Sequence, residues 1–171
     1  MNEKLHQHIR LLLSHGSLYT VVNRNLLFHA SVPLTPDGSL KQVELTPGLR
    51  CSGRELMDRT DRIVRSAFQA DTDPRDKAFA TDFFLYLWCG PDSVLFDKSK
   101  MATFERYFLT DPATFREQKG NYFRLRDDAA VCDRILDAFG VTGADRHIIN
   151  GHVPVHASSG ETPSRPADGS W

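Results

Sequence analysis

The sequence is poor in cysteine. It has three, Cys51, Cys89 and Cys132, which are far apart and form no C-x-x-C pair. An odd number at such spacings disfavours both a disulfide framework and a cysteine metal site. This usage is typical of a reducing compartment, and we expect a cytoplasmic protein.

An excess of charge and long apolar runs are also lacking. The 171 residues carry 21 basic and 22 acidic side chains, a formal net charge of -1, so no overall field would attract nucleic acid or an anionic membrane. The opening "MNEKLHQHIRLLLSHG" has only three consecutive leucines, too few for a signal sequence or a membrane span. We therefore expect neither partner, and one compact domain with a real core.

The two ends of the chain have β character. Residues 5–13 have apolar positions at helical spacing, which predicts a short first helix. The runs "LYTVV" (18–22) and "NLLFHA" (25–30) flank Asn23-Arg24 and predict a hairpin, since asparagine tolerates a positive φ. "KQVEL" (41–45) predicts a third strand, and "RHIIN" (146–150) restores strand character.

The middle of the chain is helical in pattern. Ser52 and Glu55 have the spacing of a capping box, and Asp73-Pro74 forms an N-cap followed by a first-turn proline. "FFLYLWCG" (83–90) is apolar on nearly every side, which predicts a helix buried by several neighbours, with its aromatic side chains in the core. Further helical segments are predicted over 98–108, 111–120 and 126–140.

Two histidines, His29 and His152, each follow a strand-like run and precede a turn. Strands collect ligands at their carboxyl ends, so these imidazoles could share one site, and Gly151 would let the backbone turn sharply beside it. From the residues alone, a metal role and an ordinary hydrogen-bonding role both stay open. The three histidines on or after the first helix, His6, His8 and His15, suit a solvated surface.

The stretch from 98 to 126 is locally basic and could serve a sugar phosphate. Nearby acidic residues equally suit a solvated helical surface, so both interpretations stay open. No serine or cysteine nucleophile with an adjacent base is visible. The basic residues are Lys98, Lys100, Arg106, Arg116, Lys119, Arg124 and Arg126.

Several stretches together resemble the class III fructose-1,6-bisphosphatases of the calcineurin-like metallophosphoesterase superfamily. They are "NRNLLFHASVPLTPDGSL", "GRELMDRTDRIVRSAF", "DFFLYLWCGPDSVLFDKSKMATFERYF" and "HIINGHVPV", in the family's order over about residues 3–170. "YLWCGPDSVLF" followed by "KMATFERYF" is specific to that family, whereas "GHVPV" alone is weak. The resemblance implies a phosphoric monoester hydrolase of gluconeogenesis that cleaves the 1-phosphate of fructose 1,6-bisphosphate with a metal-activated water, manganese or magnesium being the ion. It also implies that His29 and His152 are metal ligands.

The implied fold is α+β, a partial metallophosphoesterase sheet with a mainly helical insertion. Residues 1–48 would form the first part of the core, 49–143 the insertion, and 144–171 a strand, the GHVPV turn and the tail. A departure from the family is Ala30, where related enzymes commonly have glycine.

The family's "GD-x-H", "GD-x-x-D-R-G" and "GNH" motifs are missing from the sequence. Two neutral imidazoles bring no negative charge to offset two divalent ions, so we expect an internal fragment that is inactive alone. Its apolar strands would self-associate or meet a companion chain carrying the missing core. A non-catalytic helical interaction module is the alternative. A different phosphatase of the superfamily is a third possibility, which the helical middle disfavours.

Overall fold

A computed structural model describes residues 2–152 and residue 158. Its elements form two small sheets and several helices, a mixed α/β arrangement as expected. Within the described residues no helix is both long and apolar enough to cross a membrane. The elements are α1 (Glu3–His15), β1 (Tyr19–Val22), β2 (Asn25–Phe28), β3 (Val43–Thr46), β4 (Leu49–Cys51), α2 (Gly53–Ser66), α3 (Pro74–Cys89), α4 (Thr103–Phe108), a 3₁₀ turn (Pro112–Phe115), α5 (Tyr122–Leu125), α6 (Ala129–Ala138) and β5 (His147–Asn150).

The first sheet has the strand order β1-β2-β5. β1 and β2 are antiparallel, and Asn23 and Arg24 between them have φ of 50° and 63°. Two successive positive φ angles match the twist of a right-handed hairpin, so the predicted hairpin is confirmed. β5 then pairs with β2 in parallel, with Leu26 opposite Ile148.

The second sheet pairs β3 with β4 in antiparallel fashion. The sequence predicted β3 within about two residues but missed β4, whose three residues are too few to give a pattern. Helix α2 begins after Ser52 as predicted, but the predicted capping box is wrong because both of its side chains bond elsewhere. Ser52 leaves β4 in extended conformation and its hydroxyl accepts from Gln42 Nε2 at 3.1 Å, while the Glu55 carboxylate pairs with Arg59.

Helix α3 begins as predicted but is not buried as predicted. Asp73 accepts from the Arg75 amide at 2.8 Å, which confirms the N-cap. However, Leu85 and Trp88 are 54% and 58% exposed, and within α3 only Ala80, Phe83 and Leu87 are buried. The helix packs on α2 along one side. In the described part of the chain its outer aromatic face is covered in part, where Phe84 meets Phe68 and Trp88 meets Phe104.

Between α3 and α6 the chain is less helical than predicted. α4 begins at Thr103 and not at residue 98, and within 111–120 the helical residues are those of the 3₁₀ turn Pro112–Phe115. The cause is a bridge between Lys98 and Lys119, where Ser99 N donates to the Gln118 carbonyl at 2.8 Å and holds both segments extended. The predicted helix over 126–140 is confirmed as α6, with its apolar face buried.

One hydrophobic core joins the two sheets to the helices. The inner face of β2 contributes Leu26 and Phe28, α2 contributes Leu56 and Met57, and α6 contributes Ile135, all nearly or fully buried. This core fixes β2 and thereby the site at its carboxyl end. The division into segments 1–48, 49–143 and 144–171 stays a prediction, and the GHVPV turn beyond His152 lies outside the described residues, like most of the tail.

Candidate functional site

Parallel pairing of β2 with β5 brings His29 and His152 to the same sheet edge. The register places Phe28 opposite Asn150, so both strands end at one level. Because parallel strands present their carboxyl ends together, the residues that follow them leave the sheet side by side. β2 is held by the core, which anchors the first of the two turns.

Two hydrogen bonds tie the turns together beyond the last paired residues. Gly151 N donates to the His29 carbonyl at 2.9 Å, and Asn150 Nδ2 donates to the Ala30 carbonyl at 3.2 Å. A Cβ on Gly151 would lie 3.5 Å from the His29 oxygen, an ordinary contact. The sharp turn expected of the glycine is instead made by His152, whose φ is 67°.

The two imidazoles touch. His152 Nδ1 lies 3.1 Å from His29 Nε2, and the rings meet edge to face with centroids 5.0 Å apart. A hydrogen bond at this distance requires one ring nitrogen to carry a proton and the other to accept it. Partial burial, the neighbouring His29 and the charge of Lys98, in that order, lower the pKa of His152. The neutral ring is therefore favoured, which is the form that binds metals.

The pair fits part of a metal's coordination shell. Imidazole nitrogens lie about 2.0–2.1 Å from a bound zinc ion, so two ligands of a tetrahedral zinc are roughly 3.3–3.4 Å apart. The observed 3.1 Å is slightly shorter, so the two nitrogens could face one ion after a small ring movement, with the ion replacing the shared proton. Within residues 2–152 and residue 158, however, no three His, Cys, Asp or Glu side chains are grouped to hold an ion. The described residues supply two neutral ligands and no bridging carboxylate.

The other histidines and the basic residues singled out in the sequence are not in contact with His29 and His152 in the contacts described above. His6, His8 and His15 lie on α1, and His15 Nδ1 is 2.7 Å from Ser14 Oγ. Several of the basic residues from 98 to 126 are in ion pairs, such as Lys98 with Glu117 and Lys100 with Glu105. The sequence did not reveal that Lys98 and Lys119 are brought together, since only the bridge does so.

A comparison with protein-family models matches residues 1–170 to the family described as Firmicute fructose-1,6-bisphosphatase. The chain belongs to this family. The resemblance seen in the sequence is thereby confirmed, although no solved structure matches the chain, and the metallophosphoesterase form of the fold stays a proposal.

Curated relatives in the fructose-1,6-bisphosphatase family match this chain along nearly its whole length. It is 53% identical over 162 residues to a fructose-1,6-bisphosphatase class 3 of Phocaeicola vulgatus, covering 95% of this chain and 24% of the relative. The corresponding protein of Bacteroides fragilis is 51% identical over 164 residues, 96% of this chain and 24% of that protein. That of Clostridium botulinum is 48% identical over 162 residues, 95% of this chain and again 24% of the relative. The chain thus spans about a quarter of the length of these relatives.

Proposed function

We propose that this chain forms part of a metal-dependent fructose-1,6-bisphosphatase that hydrolyses the 1-phosphate of fructose 1,6-bisphosphate in gluconeogenesis. The family match over residues 1–170 supports the reaction class. The observation that carries the site is the 3.1 Å contact between His152 Nδ1 and His29 Nε2. A cytoplasmic location is proposed from the cysteine usage.

In this proposal His29 and His152 are metal ligands, with manganese as the preferred ion and magnesium as the other candidate. A bound ion would act as a Lewis acid and lower the pKa of a coordinated water. The chain's own contribution is to position the ligands. Parallel strand pairing sets their level, and the bond from Gly151 N to the His29 carbonyl fixes their separation.

The chain alone is proposed to bind one ion weakly and to show no turnover. Neutral imidazoles leave the full charge of a divalent ion uncompensated. The described residues supply two metal ligands, and a divalent ion needs more. The remaining ligands would come from polypeptide that carries the family's aspartate motifs. Residues 49–143 are proposed to lie over that core as an insertion.

Calorimetric titration of the 171-residue chain with manganese tests the metal site. We expect one weak binding event in the wild type that is lost in both His29→Ala and His152→Ala. His8→Ala is the matched control, because His8 is an exposed histidine on α1 and should leave binding unchanged. Equal binding in all four proteins would remove the metal role, and turnover by the isolated chain would contradict the proposed incompleteness.

One observation favours a second candidate function, a non-catalytic interaction module. The outer faces of α3 and α4 expose aromatic side chains, with Trp88 58% and Tyr107 80% accessible. Such a face is typical of a surface that docks on other protein. The titration separates the two candidates, since a module without a metal site would give no heat that depends on His29 or His152.

A further inference from the structure

A small polar cavity of about 180 Å³ is lined by residues that begin at Ser31, two positions after His29 in the chain. Ser31, Pro33 and Leu34 contribute to its lining, and so do Lys98 and Lys119. Lys98 is near enough to His152 for its charge to act on that ring. The cavity, called the lysine cavity below, is smaller than the roughly 300–1,000 Å³ of pockets that enclose a drug-sized ligand. It therefore suits one end of a ligand.

The backbone bridge places two lysines, and so two like charges, opposite each other. Lys98 and Lys119 are directly opposite in an antiparallel bridge, an arrangement that is destabilising for equal charges unless something neutralises them. Lys98 Nζ is 2.7 Å from Glu117 Oε2. Among the described residues, by contrast, Lys119 forms no ion pair, so its ammonium is available to an anion.

The acidic side chains of the lysine cavity are already engaged. Asp92 pairs with Lys41 Nζ at 2.7 Å. Asp97 accepts from Phe123 N at 2.9 Å and packs under Gly120, so its carboxylate serves the backbone. Asn121 and Ser99 also line the cavity. Asn121 Nδ2 donates one hydrogen to the Leu34 carbonyl at 3.0 Å and has a second N–H, and Ser99 Oγ accepts from Gln118 N, which leaves its own hydrogen to donate.

The walls are held rigidly enough to position these groups. Ser99 N donates to the Gln118 carbonyl at 2.8 Å, Gln118 N donates to Ser99 Oγ at 3.0 Å, and Gly120 N donates to the Asp97 carbonyl at 2.8 Å. A site whose donors are already in place loses less entropy when it binds an anion.

We propose that the lysine cavity binds a phosphate monoester through Lys98 and Lys119, namely the phosphate of the sugar bisphosphate that is not hydrolysed. This assignment rests on the proposed function, since the histidine pair then faces the phosphate that is cleaved. Lysine is a usual partner of phosphate, and binding here would give Lys119 the counter-charge that Glu117 already gives Lys98.

The test is titration of the metal-free 171-residue chain at low ionic strength, followed by amide chemical shifts. The probes are inorganic phosphate, fructose 6-phosphate and fructose. We expect both phosphates to shift the amides around Lys98, Lys119 and Asn121, with fructose 6-phosphate binding at least as tightly as phosphate, and fructose to shift none. Fructose 6-phosphate that fails to bind while phosphate binds would overturn the assignment to substrate, as would shifts located elsewhere.

Lys119→Gln should weaken phosphate binding about tenfold, because it removes a charged donor. Lys77→Gln is the matched control, since Lys77 is an exposed lysine of α3 that does not line the cavity. Glu117→Gln should instead strengthen binding, because it removes the carboxylate that competes for Lys98. This gain cannot come from misfolding. Unchanged affinity in both Lys119→Gln and Glu117→Gln would overturn the proposal.

The experiment distinguishes this inference from the proposed function. His29→Ala and His152→Ala remove the metal role and should leave phosphate affinity of the metal-free chain within about twofold. Phosphate binding without manganese binding would refute the proposed metal site and leave the phosphate site standing. Manganese binding, with no phosphate-induced change in amide chemical shifts at the lysine cavity, would refute the phosphate site and leave the metal site standing.

Discussion

The carboxylate of Asp97 occupies the space that a side chain on Gly120 would need. A Cβ on Gly120 would fall 1.8 Å from Asp97 Oδ1, and Asp97 Oδ2 in turn accepts from Phe123 N at 2.9 Å. Asp97 thus supports the start of α5 from 25 residues away in the chain, and glycine is the residue that lets it approach.

Gly120→Ala should therefore destabilise the protein by roughly 1–3 kcal/mol, the usual cost of overpacking. Urea unfolding followed by circular dichroism measures the change. Gly151→Ala is the control, because its Cβ would meet an ordinary contact at 3.5 Å. In an Asp97→Ala background Gly120→Ala should cost much less, and equal costs in both backgrounds would show that the clash is not the cause.

Asp37 should make the stability depend on pH in acid. Hydrogen bonds from the hydroxyls of Thr35 and then Ser39 lower the pKa of this carboxyl from its ordinary 3.8 to about 2. Because the folded pKa lies below the unfolded one, the stabilisation is complete well above 3.8 and is lost as pH falls through about 2.

Denaturant unfolding over this pH range measures the effect. Relative to Asp37→Asn, the wild type should have an advantage above about pH 5 that disappears towards pH 2. Thr35→Val should reduce the advantage more than Ser39→Ala, since the threonine bond is the larger cause. An advantage that grows in acid would contradict the assignment.

Arg65 should hold α1 on the body of the protein. α1 has no buried residue, yet the Arg65 guanidinium donates to the Leu13 carbonyl and, at 2.8 Å, to the Gly16 carbonyl. These acceptors are at the carboxyl end of the helix, where a cation is favoured. Asp61 orients the guanidinium from one turn earlier on α2.

Arg65→Met should therefore lower the free energy of opening α1 by about 1–2 kcal/mol, measured by amide hydrogen exchange. Exchange in α6 should not change. Arg62→Met is the matched control, since Arg62 donates to the Asp58 carbonyl within its own helix. Equal acceleration in the two variants would mean that Arg65 does not secure α1.

The edge of the first sheet should promote self-association, as expected from the sequence. β1 is an edge strand, and its Val21 and Val22 are 43% and 51% exposed. An open edge with apolar side chains is a template for pairing with another chain. Sedimentation velocity should show association that increases with concentration and decreases in Val21→Lys.

Gln69→Lys provides the matched charge control for that experiment, because Gln69 is exposed and belongs to no strand of either sheet. It should associate as the wild type does. A wild type that stays monomeric at high concentration would refute the prediction. It would also show that the aromatic face of α3 and α4 does not drive self-association.

Local signals predicted several elements well. The β1–β2 hairpin depends on two residues in its turn, the start of α3 on the Asp73 cap, and α6 on its own apolar spacing. Each is decided by contacts within a few positions of the chain. The burial of Trp88 was predicted wrongly because an apolar pattern does not say how many neighbours a helix will meet.

The sequence by itself determined the residue types of the site and their position at strand ends, since strand propensity and turn chemistry are local. Only the tertiary structure decided that His29 and His152 touch and that Lys98 lies opposite Lys119. Both contacts depend on pairing between segments far apart in the chain. That pairing is chosen by the shared core and by backbone hydrogen bonds, and no single segment encodes either one.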